Sequence, residues 1–320
     1  MSSVIVDDDV REARRWSVTA ANMEYQLYSL QARYKTEECL RRNNISSTLR
    51  YTWLTLVYDE LSTVQALVLG QMLDRLSCVS TKLVIVSDEL DSNCRNALTL
   101  AGFIVRSVPK LNCKTSRQGL ENLVQMWKTV EFDKIVFIEP TLFPLQNVDE
   151  IFDSVSPNMI ASPYCSPPGV VHPCFNPSLL AFQPNSDLYS NLYQQFQSSS
   201  SCPSLVSVLW DKFVYTNMWT KLPYSYNVKE KRHYPLKVFD LAGDSVLGSV
   251  WEWHGKPTRQ EAAKLDASLS DIRDIYRLWW KVLYQSLEEN KLWFWWHDSA
   301  LYRKFLHSDP LRDYRAVDIW

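Results

Sequence analysis

Glycine is scarce in this chain, at 7 of 320 residues. That leaves no glycine-rich loop whose backbone N–H groups could cradle a phosphate. No apolar run approaches the roughly 18 residues of a membrane span, and the acidic-then-basic stretch 1–15 lacks the apolar core of a secretory signal. An excess of one charge is also missing. The formal net charge of -2 offers no electrostatic attraction for nucleic acid or an anionic membrane surface. The 7 cysteines, Cys39, Cys78, Cys94, Cys113, Cys165, Cys174 and Cys202, are odd in number and widely spaced, with no Cys-x-x-Cys. Reduced thiols in a cytoplasmic protein fit this pattern better than zinc or a disulfide framework. The histidines, His172, His233, His254, His297 and His307, form no metal-spaced pair. Neither a Gly-x-Ser-x-Gly elbow nor a Cys/His nucleophile pattern occurs.

What is present is ordinary globular material, 46% hydrophobic and 22% charged, enough for a large core. From Tyr51 the pattern alternates. Thr52–Tyr58, Lys82–Ser87, Phe103–Val108 and Lys134–Ile138 read as strands. Thr63–Arg75, Asp91–Ala101 (closed by Gly102) and Leu120–Val130 read as helices. Lys82–Ser87 is the short apolar run of a strand buried on both faces. The expected class is therefore α/β, with a mostly parallel sheet flanked by helices. After Phe152, Met159–Ser162 and Ser178–Phe182 read as strands, Ser186–Gln197 and Leu205–Tyr215 as helices, and Leu222–Asn227 as irregular.

Helical spacing at Ala20–Arg42 predicts an N-terminal helix, either covering the core or binding a partner. The capping-box sequence Thr258-Arg259-Gln260-Glu261 opens a C-terminal helical region. There Ile272, Ile275, Leu278, Trp279, Val282 and Leu283 recur at helical intervals, and Trp293–Trp296 adds four aromatics. Two readings of that region stand. It packs over the sheet, or it exposes an aromatic stripe for a protein partner or self-association. The chain divides into 1–50 (tail and helix), 51–257 (α/β domain) and 258–320 (Trp-rich helical extension).

The most informative stretch is Lys134–Phe152. A buried strand ends in the acid Glu139, where open α/β sheets hold ligands. Several blocks around it match a known pattern in order: Gln65–Gly70, Leu98–Val105, Trp127, Lys134–Phe137, Asn147–Phe152, Cys174–Asn176, Phe182–Pro184 and Leu222–Asn227. Together they resemble glycosyltransferase family 8, the glycogenin-like enzymes, over roughly 51–257. The resemblance implies a GT-A fold, a UDP-sugar donor, and manganese held by an Asp-x-Asp motif. A hard cation there neutralises charge building on the diphosphate leaving group.

Against that pattern several positions depart. Asp-x-Asp reads Glu139-Pro140-Thr141, with one carboxylate and one neutral hydroxyl. The basic residue of the helix before the metal strand falls at Leu123, within Asn122-Leu123-Val124. The family's Asn-Ser-Gly becomes Asn176-Pro177-Ser178, and its sugar-flanking Asp-Gln-Gly becomes Cys202-Pro203-Ser204. The His/Lys loop survives, compressed, as His254-Gly255-Lys256-Pro257. The resemblance thus implies Glu139 and Asn176 as catalytic positions. It implies Leu56, Val57, Tyr58, Asp59, His254, Gly255 and Lys256 around the nucleotide sugar, and Glu139 with His254 as what is left of a metal set. Glu139 also reads as a solvated strand-end acid, and the His254 loop as plain surface. Tyr234 is the one tyrosine of Val228–Pro235 but is out of register with the family's acceptor tyrosine. Loss of this many groups implies a divergent homologue with weak or absent transferase activity and a binding or regulatory role. The alternative is an active transferase using substitute ligands or no metal.

Overall fold

The computed structural model describes residues 39, 50–109, 120–163, 176–198, 204–228, 237–241 and 272–307. The chain divides into two compact units, 1–48 and 49–320. Of the first only Cys39, in a helical conformation, is described, so the expected N-terminal helix lies almost wholly outside the described residues. All that follows concerns the second unit.

Its centre is a seven-stranded sheet in the order β3-β2-β1-β4-β7-β6-β8. The strands are β1 (Tyr51–Val57), β2 (Lys82–Ser87), β3 (Ile104–Val108), β4 (Lys134–Ile138), β6 (Ile160–Pro163), β7 (Leu179–Phe182) and β8 (Trp219–Leu222). β1 runs parallel to both β2 and β4, and β2 parallel to β3. Only β7 is antiparallel to its neighbours β4 and β6. The mostly parallel sheet flanked by helices is thus present as the alternation implies. Two short strands, β5 (Leu142–Pro144) and β9 (Val238–Asp240), form a separate antiparallel ribbon.

The period of two along each strand sorts side chains to opposite faces. Leu54, Leu56, Leu83 and Ile85 join one cluster with Trp127, Phe182 and Phe213. Val57, Val84 and Val86 join another beneath helix α1 (Glu60–Leu76) and helix α2 (Ser92–Leu100). Asp59 caps α1 and Asp91 caps α2, each carboxylate accepting from a backbone N–H of the first turn. Gly102, at φ +79°, closes α2, with Phe103 N–H bonded back to Leu98 O at 3.1 Å. Gly70 in α1 admits the ring of Phe103, because a Cβ there would sit 2.6 Å from the ring.

On the second face lie the 3₁₀ segment Leu120–Lys128, helix α3 (Ser186–Ser198) and helix α4 (Leu205–Leu209), which widens into a π turn at Trp210–Val214. The expected helix at Leu120–Val130 is therefore tighter than α-helical geometry, and that at Leu205–Tyr215 is α-helical to Leu209 and wider beyond it. The irregular reading of Leu222–Asn227 is corrected in part. Leu222 ends β8, and Tyr224–Tyr226 forms a 3₁₀ turn.

The Asn147-Val148-Asp149 block is explained by packing. Asp149, fully buried, accepts from Ser77 Oγ at 2.6 Å, Cys78 N–H at 2.7 Å and Asn147 Nδ2 at 3.1 Å. It ties the turn after α1 to the 3₁₀ segment Asp149–Ser154. Cys78 is disulfide-bonded, so the expectation of reduced thiols fails for it, while Cys94 is a buried free thiol.

The C-terminal region follows the packed reading. Helix α5 (Ile272–Glu289), α6 (Trp293–Asp298) and α7 (Ala300–His307) lie in the same unit, and α5 packs along α1. Trp279, Trp280 and Trp296 are buried in the α1 cluster, whereas Phe294 stands out, 86% exposed. The aromatics form core, which rules out a continuous exposed stripe along α5. Among the described residues no helix is long and apolar enough to cross a membrane. Truncating a fully buried indole costs about 3–5 kcal/mol. Trp280→Ala should lower the unfolding free energy by about that amount in a urea titration, with far-UV ellipticity retained at low denaturant.

Candidate active site

The chain order reverses at one place in the sheet. β1, β2 and β3 step outward in one direction, and β4 then joins the other side of β1. A crevice opens at such a switch point, outside the carboxyl ends of the two strands. A small recess lies there, lined by Leu56, Tyr58, Gln65, Phe137, Glu139, Pro140 and Thr141. Of the expected site residues, Leu56, Tyr58 and Glu139 meet at this recess. Gln65 joins them from α1; the sequence marked it only as the start of a matched block, not as a site residue.

β4 stops because of its next residues. Pro140 supplies the fixed φ of a turn's second position, and Leu142 N–H closes the turn on Glu139 O at 2.9 Å. Thr55 Oγ1 donates to Ile138 O at 2.7 Å, holding the strand end against β1. Thr141 O in turn accepts from Leu241 N–H at 2.9 Å, just past β9. That ribbon brings Asp240, a buried acid, opposite Leu142 and so one residue from Thr141. Sequence reading missed Asp240, since a three-residue strand has no period to detect.

The Glu139 carboxylate has a neighbour across the β4–β7 seam. Ser178 Oγ donates to Glu139 Oε2 at 2.5 Å, and Glu139 N–H donates to Ser178 O at 2.8 Å. Asn176 is folded inward, its Oδ1 accepting from Ser178 N–H at 2.9 Å and its backbone O accepting from Ser162 Oγ. The Asp59 carboxylate is engaged by α1, accepting from Ser62 N–H at 2.7 Å and Ser62 Oγ at 2.6 Å. Leu56 and Val57 are buried, so Val57 offers a ligand at most its main chain. Tyr58 stands at the mouth, 39% exposed. Burial, followed by the charges of Asp59 and Glu139, pushes its phenol above the usual tyrosine range. His254, Gly255 and Lys256, together with Leu123's side chain, Cys202, Pro203 and Tyr234, lie outside what is described.

These residues do not fit a divalent cation. A hard cation wants several anionic oxygens. Here one carboxylate is already hydrogen-bonded, and the other motif position is the neutral Thr141. Among the described residues no three of His, Cys, Asp or Glu are grouped to hold an ion.

Asn227 also lies beyond the sheet's carboxyl edge, five residues after β8. It is 1% exposed, and among the described residues neither side-chain Nδ2 nor Oδ1 has a partner. Next to it, Tyr226 O–H donates to Glu150 Oε1 at 2.6 Å, Lys237 Nζ donates to Tyr226 Oη at 2.8 Å, and Lys237 pairs with Glu150. This clamp ties the 3₁₀ turn Tyr224–Tyr226 to the start of β9. Burial and the Glu150 hydrogen bond push the Tyr226 phenol up to about 12. Burial works against ionisation of Glu150, but the hydrogen bonds from Lys237 and Tyr226 overcome it and hold the carboxyl below its usual range.

In sequence the chain is similar to human glycogenin-2, 26% identical over 255 residues, covering 72% of this chain and 50% of that protein. It is similar to human glycogenin-1 at 24% over 212 residues, covering 62% and 56%. The chain thus spans about half the length of the curated relatives it matches. Among solved structures it resembles the apo form of the glycosyltransferase GlyE of Streptococcus pneumoniae, at 13% identity and a TM-score of 0.47, covering 76% of this chain and 64% of that one. No family model matches. The chain is glycogenin-like in sequence, as its ordered motifs implied.

A depressed carboxyl pKa adds stability that is complete above the unfolded value and is lost as pH falls through the folded one. Wild type should therefore exceed Glu150→Gln in urea midpoint at pH 7. The gap should close once pH drops below the ordinary carboxylate range of about 4. A gap independent of pH would show that the Glu150 charge contributes nothing.

Proposed function

We propose that this chain is a glycogenin-like homologue whose nucleotide-sugar cleft has weak or no transferase activity and serves binding or regulation. One observation carries the reading. The turn Glu139-Pro140-Thr141, at the switch point of the sheet, presents a single carboxylate, and Ser178 already bonds to it. Departure of a nucleoside diphosphate needs its growing charge neutralised, and removing one stabilising group from such a site costs about 3 kcal/mol or more. The motif itself supplies no second acid for that work, its third position being Thr141, yet an aromatic, Tyr58, stands at the mouth and suits a flat base.

The experiment pairs calorimetry of UDP, with and without manganese, with an assay of labelled UDP-sugars. UDP should bind with the same affinity under both conditions, and no sugar transfer or donor hydrolysis above background should be seen. Turnover abolished by Glu139→Ala would overturn the reading.

A second reading, an active retaining transferase with substitute ligands, is favoured by one feature: buried Asp240 beside Thr141. It requires manganese to strengthen UDP binding at least tenfold in wild type but not in Asp240→Asn.

A further inference from the structure

The misfit between this strand end and a cation has a specific structural cause. We propose that the Ser178 hydroxyl acts as an internal ligand of Glu139, standing where a divalent ion would otherwise draw on that carboxylate. The inference shares Glu139 with the proposed function but concerns ion exclusion rather than turnover.

Ser178 is fixed by its main chain before its hydroxyl does anything. Its carbonyl accepts from Glu139 N–H at 2.8 Å, its own N–H is held by Asn176 Oδ1 at 2.9 Å, and Asn176 is anchored through Ser162 Oγ. β7 begins at the next residue and pairs with β4, Leu179 opposite Ile138. The hydroxyl is therefore carried to the carboxylate by the sheet itself, without the entropy cost of ordering a mobile side chain. At 2.5 Å its O–H donates to Oε2. A hydroxyl on a carboxylate is a charge-assisted bond, among the stronger ones a protein makes. It occupies an acceptor position on Oε2. A hard cation drawing on this carboxylate competes with that donor, and Thr141 offers no second charge to tip the balance. Ser178 is thus a positioning residue, acting through Glu139.

The variants separate the hydroxyl from everything else at the site. Ser178→Gly and Ser178→Ala both keep the two main-chain bonds, and Ser178→Ala also keeps the Cβ. Thr141→Asp restores a second acid. Manganese alone is titrated by calorimetry into Thr141→Asp, Thr141→Asp/Ser178→Gly and Thr141→Asp/Ser178→Ala. Thermal unfolding verifies the fold of each. Loss of a bond to a charged group is worth a factor of roughly ten or more, so both double variants should bind manganese about tenfold more tightly than Thr141→Asp. Equal affinity within twofold, or no binding by any of the three, overturns the proposal. Sugar transfer by the wild type that Glu139→Ala abolishes would overturn the proposed function. The role of Ser178 would still stand or fall on the difference between single and double variants.

Discussion

The parallel pairing of β1 with β4 is the constraint from which the rest follows. Trp53, Leu54 and their partners Val136 and Phe137 are fully enclosed, so the register Leu54↔Phe137 cannot slip by one residue without turning both faces inside out. Once that register is set, Val57 and Ile138 end near one another, and the residues after them must share a crevice. Tyr58 and Glu139 are neighbours for that reason alone. Helix α1 then leaves from Asp59, and the proline turn leaves from Glu139, so the two exits form the walls of the recess.

Much of this was legible in the sequence, for physical reasons that can be named. β2, a run of six residues enclosed on both faces, coincides with the expected Lys82–Ser87. β4 coincides with Lys134–Ile138 because its apolar core meets Pro140, which forces a turn. The close of α2 at Gly102 was readable because only a positive φ completes that cap. What escaped were short elements and contacts made across the chain. β5 and β9 have three residues each and owe their existence to one another. The hydroxyl on Glu139 comes from a residue 39 positions away, and no local pattern announces it. Asp59, implied beside the nucleotide sugar, has in addition a local task that the sequence analysis did not name: its position before Ser62 makes it a helix cap.

The site's chemistry is best understood as a trade of partners. A cation binds many oxygens and draws loops together around itself. A hydroxyl binds one oxygen and asks nothing further of its surroundings. Ser178 bonds Glu139 across the β4–β7 seam, and the Thr141 main-chain carbonyl accepts from Leu241 N–H. The Tyr226–Glu150–Lys237 clamp has the same character. Three polar groups in a half-buried setting satisfy each other and fix the approach of β9 to the β4 turn.

Helix α1 faces the sheet on one side and α5 on the other, so it is loaded from two directions. Ser286 reaches Leu67 O at 3.3 Å, Gln71 reaches Glu289 at 2.5 Å, and the N–H of Ala300 reaches Glu60 at 3.0 Å. Glu60 is two residues from Tyr58. The C-terminal helices are thus bonded directly to the helix whose start forms one wall of the crevice.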